Sequence, residues 1–339
     1  MIAAKLWLQT RTLAILLAWS AVRLLATEPP VADRPADAPR STAASKREYF
    51  WADELVFHDW RIQRNAVLRT CRLVDGAGKT QGTGSFEQCR IRLEEIKHER
   101  NLGPMKGKVV LILHGLAGHR AACGPLAQDL QEHGGYAAFT LTYPSLFEEV
   151  AGPAQSLDSV VRNLYGVEEI NFVAHSLGNL VVRHYLGDQT DKPSGRRPDP
   201  RIKRIVMIGP PNHGSAIARS VDAEWHENKY VGKTVEQLGH RWSQLAPKLA
   251  TPECEFGIIA GGTGKRFGFN QLLSGDNDGV VEVSSARLAG AHDFVLVPAL
   301  HFRMHQSPKV HEYVLRFLRD GCFVSPGRRQ PIPQGDSRP

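Results

Sequence analysis

Residues 170–186, INFVAHSLGNLVVRHYL, constrain the fold more than any other stretch of the chain. An apolar run ends abruptly in Ala174-His175-Ser176-Leu177-Gly178, and an amphipathic segment carrying Leu180, Val181 and Tyr185 follows. This reads as strand, sharp turn, helix. A serine on such a turn sits in cramped backbone with its hydroxyl standing clear, and small residues two before and two after it let strand and helix pass closely. Ala174 stands where glycine is commoner. The plainer alternative is a solvent-exposed serine in an ordinary turn, and partners elsewhere in the chain must decide between them.

The surrounding sequence repeats the strand-to-helix rhythm. Residues 108–114 form a wholly apolar run of the kind buried in a parallel sheet. Helix is expected at 126–133 and 156–165, strand at 136–142, 169–174, 201–208, 256–260 and 294–297, and a closing helix at 308–318. Such alternation argues for an α/β fold with a mostly parallel central sheet and helices on both faces. Ahead of it, residues 60–74 and 86–97 favour extended structure about the turn DGAGKTQGTG, which reads as an N-terminal antiparallel hairpin. Residues 187–200 read as a polar, Pro-rich surface excursion. Within 216–252, Val235, Leu238, Trp242, Leu245 and Leu249 share one helical face, as a small helical cap over a site or a core-packing helix would require.

Acyl transfer at a serine needs an imidazole, a carboxylate to orient it and two N–H donors for the oxyanion. His114-Gly115-Leu116-Ala117-Gly118 follows the first apolar strand, and its glycines let the backbone turn and expose the Leu116 N–H. The Leu177 N–H, at a helix start beside Ser176, is the second donor. Asp278, in Gly275-Asp-Asn-Asp-Gly-Val-Val281, is the carboxylate, with Asp276 as rival and an Asx-turn or calcium loop as the alternative for both. His301, ahead of the last helix, is the base. With His305 it makes a His-x-x-x-His pair, but without the glutamate of a zinc protease. His175 flanks the serine and points along the turn. Residues 261–265, GGTGK, lack phosphate-loop spacing.

With HGLAG, LTYPS at 141–145, AHSLG, IGPPNHGS at 208–215, DNDGVV and LHFRMHQSPKV set in order, the chain resembles an α/β-hydrolase of the bacterial lipase and esterase group over residues 108–318. The resemblance implies a triad of Ser176, Asp278 and His301, an oxyanion hole from Leu116 and Leu177, and ester or lipid substrates. Calcium-bearing members carry an acidic residue just beyond the histidine, where this chain has Phe302 and Arg303, so a metal site is not expected. No cofactor is implied. The same residues would serve a thioesterase, amidase or phospholipase, and a hydrolase fold can also persist as a binding module.

The chain is 42% hydrophobic and 23% charged, values of a globular protein, and carries a formal charge of +7. No dense Lys/Arg block interleaves with aromatics, which speaks against nucleic-acid binding, whereas a basic surface could favour peripheral contact with anionic membranes. Residues 1–26 place Lys5 and Arg11 before the apolar run TLAILLAWSAV, as in an export signal peptide or N-terminal anchor. Residues 27–45 read as a flexible linker, 46–324 as the hydrolase domain and 325–339 as a disordered tail. Five cysteines are too few for a disulfide scaffold and lack zinc-ligand spacing. Cys71 and Cys89 could pair across the expected hairpin, or all five could be small buried residues.

Overall fold

The computed structural model describes residues 49–190, 198–225 and 232–335, with the backbone alone at 189–190 and 221–225. The expected signal peptide or anchor, and the linker at 27–45, lie outside the described residues. So do 191–197 of the Pro-rich excursion, 226–231 of the cap segment and 336–339 of the tail.

The frame is a six-stranded sheet. It is built from β5 (Lys108–Leu113), β6 (Ala137–Leu141), β7 (Glu169–His175), β8 (Ile202–Ile208), β9 (Glu255–Gly261) and β10 (Asp293–Val297), in the order β10-β9-β8-β7-β5-β6. Every pairing is parallel. β5, β7 and β8 are buried almost throughout, because crossover helices cover both faces of a parallel sheet and leave no wet side for polar residues. Successive strands run outward from β5 to the β6 edge, then resume at β7 on the other side of β5. That reversal opens a crevice beyond the carboxyl ends of β5 and β7, where open α/β sheets hold their ligands. His114-Gly115 and His175-Ser176 leave those two ends.

A four-stranded antiparallel sheet precedes the frame, in the order β1 (Trp51–Phe57), β2 (Trp60–Asn65), β3 (Cys71–Val74), β4 (Thr80–Gly84). Asp53 ties it to β6. Its N–H donates to the Thr142 carbonyl at 2.9 Å, and its carboxylate accepts from the Thr142 N–H at 2.8 Å, from Arg61 at 2.7 Å and from Gln63 at 2.8 Å. The antiparallel unit is therefore larger than the hairpin expected, and its partners differ. Residues 86–97, expected as the second arm, belong to α1 (Phe86–Glu99), and β4 lies inside the stretch expected as turn. The reason is local. Ser85 and Gln88 close a capping box, Ser85 Oγ accepting from the Gln88 N–H at 3.2 Å and Gln88 Oε1 from the Ser85 N–H at 2.8 Å. Cys89, Leu93 and Ile96 then fall on one buried face. Cys71 and Cys89 thus sit on a strand and a helix rather than on two arms of a hairpin, and all five cysteines are free thiols.

The helices α2 (Gly124–Gly134), α3 (Ala151–Arg162), α4 (Leu177–Thr190) and α9 (Pro308–Asp320) cover the sheet. Between β8 and β9 come α5 (Ala216–Trp225), α6 (Lys233–Leu238) and α7 (Trp242–Leu245). The single helix expected for Val235 to Leu249 is broken at Gly239, which ends α6. Val235, Leu238, Leu245 and Leu249 are all buried nonetheless. A four-residue α8 (Val283–Ala286) precedes β10.

Residues 325–335, expected as disordered tail, are seated. Ile332 is 2% exposed and exchanges backbone hydrogen bonds with Gly290 and Ala291, while the Gln330 N–H donates to Asp293 at 2.8 Å. One buried isoleucine among prolines and arginines anchors the segment, against what its composition suggests.

Candidate active site

Ser176 stands between β7 and α4 with φ +54°, a left-handed backbone that a side-chain-bearing residue adopts at a cost of about 1–2 kcal/mol. The turn is tied on both sides. The Ser176 N–H donates to the Ile208 carbonyl at 2.9 Å, extending the ladder onto β8. The Ser176 carbonyl accepts from the Asn179 N–H at 3.1 Å and from Asn179 Nδ2 at 3.0 Å. The small neighbours are required as expected: Ala174 is fully buried, and a Cβ on Gly178 would lie 2.9 Å from the Leu113 carbonyl oxygen and 3.0 Å from that of His114.

Three residues far apart in sequence meet here. His301 Nε2 lies 2.8 Å from Ser176 Oγ, and His301 Nδ1 lies 2.6 Å from Asp278 Oδ2. Both His301 and Asp278 are 1% exposed. Because the carboxylate can only accept, Nδ1 carries the proton and Nε2 is left to accept from the serine hydroxyl. The second oxygen of Asp278 accepts from the N–H groups of Val280 at 3.0 Å and Val281 at 2.7 Å, which fixes the plane of the carboxylate. Asp276 faces elsewhere. Its carboxylate accepts from the N–H groups of Thr263, Gly264 and Asn277 at 2.7, 2.8 and 3.0 Å, bracing its own loop. Two glycines make room for the pair. A Cβ on Gly261 would fall 2.7 Å from Asp278 Cβ, and one on Gly209 3.2 Å from the His301 ring.

Leu116 and Leu177, the two donors expected from the sequence, flank the serine, on the neighbouring loop and along the chain respectively. A Cβ on Gly115 would sit 3.0 Å from Ser176 Cβ, so the loop carrying Leu116 runs against the serine. Ala117 holds φ +55° there, its N–H donating to Ser145 Oγ at 3.1 Å. Leu177 opens α4, where the first N–H groups have no carbonyl a turn earlier in the helix and the dipole favours negative charge. Beneath the loop, the His114 ring stacks on Tyr143 at 4.2 Å, and the Tyr143 hydroxyl donates to the His114 carbonyl.

Further imidazoles surround His301. His175 and His305 pack ring against ring at 4.7 Å, and His175 also lies 4.9 Å from the His301 ring. His175 Nε2 donates to the His301 carbonyl at 3.0 Å, so its ring turns back under the site instead of pointing along the turn. Burial, and then the neighbouring His305 and His301, hold His175 well below the ordinary imidazole range. Burial likewise lowers His305 and His114, each to about 4. All three are neutral near neutral pH. Both nitrogens of His301 are committed within the site, and among the described residues no three His, Cys, Asp or Glu side chains gather as a metal ion would need.

Ser145, Tyr143, Asn179 and His175 hydrogen-bond the backbone that carries Ala117, His114, Ser176 and His301, and sequence reasoning gave the first three no role. For Ser145 and Tyr143 the signal was present in LTYPS, directly beyond the strand beside β5. Asn179 carried no signal beyond its place in the first turn of a helix.

A model of a family described as a domain of unknown function (DUF7379) matches residues 80–255, just over half of the 339 residues. No curated protein matches the chain. Several solved structures are similar. A protein from Listeria innocua, the product of gene lin2722, aligns at 15% identity over 63% of this chain and 95% of its own, with a TM-score of 0.44. The phospholipase PlaB from Legionella pneumophila aligns at 16% identity over 62% of this chain and 60% of its own, with a TM-score of 0.45. The metagenomic carboxyl esterase MGS0156 aligns at 18% identity over 60% and 67%, with a TM-score of 0.43.

Proposed function

The chain belongs to the DUF7379 family, whose description names no chemistry, and from the site itself we propose that the protein is a serine hydrolase cleaving carboxylic esters through an acyl-enzyme. The observation that carries this is the unbroken hydrogen-bond chain from Ser176 Oγ through His301 to Asp278, at 2.8 and 2.6 Å, with the serine raised on a left-handed turn. A structural serine needs neither the strained backbone nor a buried imidazole held in one tautomer.

In this reading Ser176 Oγ attacks the ester carbonyl carbon while its proton passes to His301 Nε2. Negative charge collects on the carbonyl oxygen and is met by the N–H groups of Leu116 and Leu177. The carbon–oxygen bond to the alcohol then breaks, and the proton on Nε2 goes to the departing oxygen. Water repeats the sequence on the acyl-enzyme, releasing the acid and restoring the serine. Asp278 keeps the tautomer throughout and stabilises the imidazolium. Because His175 and His305 are uncharged near neutral pH, they do not oppose the cation that forms at His301.

The test is a panel of p-nitrophenyl esters from acetate to palmitate on the wild type and on Ser176→Ala. The wild type should turn over at least part of the panel, and the variant should lose about 10³-fold or more in kcat with an unchanged thermal midpoint. Activity retained at more than a few per cent would move the nucleophile to another residue.

A further inference from the structure

The loop between β9 and Asp278 carries large apolar side chains that it does not bury. Phe267 is 61% exposed, Leu272 54% and Phe269 44%. They are held outward by a loop that is internally braced. Asp276 takes the N–H groups of Thr263 and Gly264, and Thr263 Oγ1 donates to the Phe267 carbonyl at 2.7 Å. Asn277 accepts from the Asn270 N–H at 2.9 Å and donates to its carbonyl at 3.0 Å. A second apolar pair flanks His301 itself, Leu300 at 45% and Phe302 at 40% exposed. The two segments meet over Gly279, whose built Cβ would lie 3.6 Å from Leu300 and 4.0 Å from Phe269. The patch therefore adjoins both Asp278 and His301.

The exposed charges within this patch are the cations Lys265, Arg266 and Arg303, and the acidic residue that braces the loop, half-buried Asp276, is turned onto the N–H groups of Thr263, Gly264 and Asn277. Among the described residues none of the three cations has a carboxylate partner. The Arg266 guanidinium lies over the Phe267 ring at 5.3 Å, so charge and apolar surface share one edge. Exposed aromatic and aliphatic side chains interleaved with unpaired cations fit the boundary between headgroups and acyl chains of an anionic lipid layer. A protein partner of ordinary acidic surface would answer the cations and leave three loop apolar groups without a counterpart.

We infer that residues 265–272, with Leu300, Phe302 and Arg303, dock the mouth of the site on an anionic phospholipid surface, so that the ester reaches Ser176 out of a lipid layer. What is cleaved rests on the reading of Ser176 above; the docking does not. The experiment is co-sedimentation of the full chain with sucrose-loaded vesicles, either phosphatidylglycerol with phosphatidylcholine or phosphatidylcholine alone. The wild type should bind the anionic vesicles, and more weakly as salt is raised. Phe267→Ser/Leu272→Ser and Lys265→Glu/Arg266→Glu should each lower the partition coefficient about tenfold, with thermal midpoints near that of the wild type. No binding by the wild type, equal binding to phosphatidylcholine alone, or wild-type partition in both double variants would overturn the proposal. The last result would put any binding on residues 1–48 or on another face. Sedimentation involves no turnover, so vesicle binding without hydrolysis of any p-nitrophenyl ester would sink the esterase reading alone, and hydrolysis without vesicle binding would sink the docking alone.

Discussion

His175 Nε2 donates to the carbonyl oxygen of His301 at 3.0 Å, so the residue just before Ser176 carries the backbone of the imidazole that faces Ser176. The same ring lies against Gly115, whose built Cβ would be 3.1 Å from His175 Nδ1. One buried side chain thus sets the spacing among three loops that arrive from different strand ends.

Removing that donor should therefore act on rate more than on binding. His175→Phe keeps a ring but leaves the His301 carbonyl buried without its partner. A small displacement of a reacting group can cost up to about a hundredfold in rate. We expect kcat on a p-nitrophenyl ester to fall tenfold or more, on the order of that range, with KM little changed. His175→Gln, which can still donate, should recover part of the loss. A matched rise in KM for both variants would mean that His175 shapes the binding pocket instead.

The two loop aspartates make opposite predictions. Asp278→Asn keeps the shape of the side chain but removes the charge that fixes the His301 tautomer, and a loss of about 10⁴-fold in kcat is expected. Asp276→Asn weakens acceptors for three backbone N–H groups and should show mainly as a lower urea midpoint. Equal kinetic losses would reopen which carboxylate orients the imidazole.

Much of this site was legible because its signals are short-range or ordered. AHSLG specifies a turn by the size of its neighbours, and Ser176, Asp278 and His301 follow in an order that a parallel sheet can gather at one edge. The parallel sheet was legible for the same reason, since strands buried on both faces read as continuous apolar runs. What failed was the antiparallel unit. In residues 86–97 alternation favours extended structure, whereas the capping pair Ser85 and Gln88 and the helical spacing of Cys89, Leu93 and Ile96 decide for helix. The seating of residues 325–335 is not legible in sequence because a single buried side chain, Ile332, leaves no periodicity. The choice between Asp276 and Asp278 turned on which backbone N–H groups each meets, a matter of loop conformation that spacing does not encode.

Gly261 should be intolerant of even one added carbon. A methyl there would stand 2.7 Å from Asp278 Cβ, 2.8 Å from the Ala299 carbonyl and 2.9 Å from Met304 Sδ. Of the three, only Met304 is a long flexible side chain, and it is fully buried. Overpacking of this kind costs about 1–3 kcal/mol, and relief by moving Asp278 would lengthen its bond to His301. Gly261→Ala should lower both the urea midpoint and kcat, whereas an unchanged kcat would show that the strand yields and the aspartate does not.

Acid should destabilise the fold before most carboxylates titrate. Burial lowers His114 and His305 to about 4 in the folded protein from an ordinary value of 6.5, and holds His175 well below that ordinary value too. Between those limits the unfolded chain binds protons that the native state refuses. Stability is therefore intact above about pH 6.5 and declines as pH falls toward 4, each such group contributing up to about 1.4 kcal/mol per pH unit. With two imidazoles lowered by roughly 2.5 units, the loss reaches several kcal/mol, on the order of half the stability of a typical domain. Urea midpoints measured from pH 7 to 5 should drop steadily. His305→Gln should flatten that slope by removing one of the groups, and a wild-type midpoint that stays level across the range would mean that these imidazoles reach water or a partner when charged.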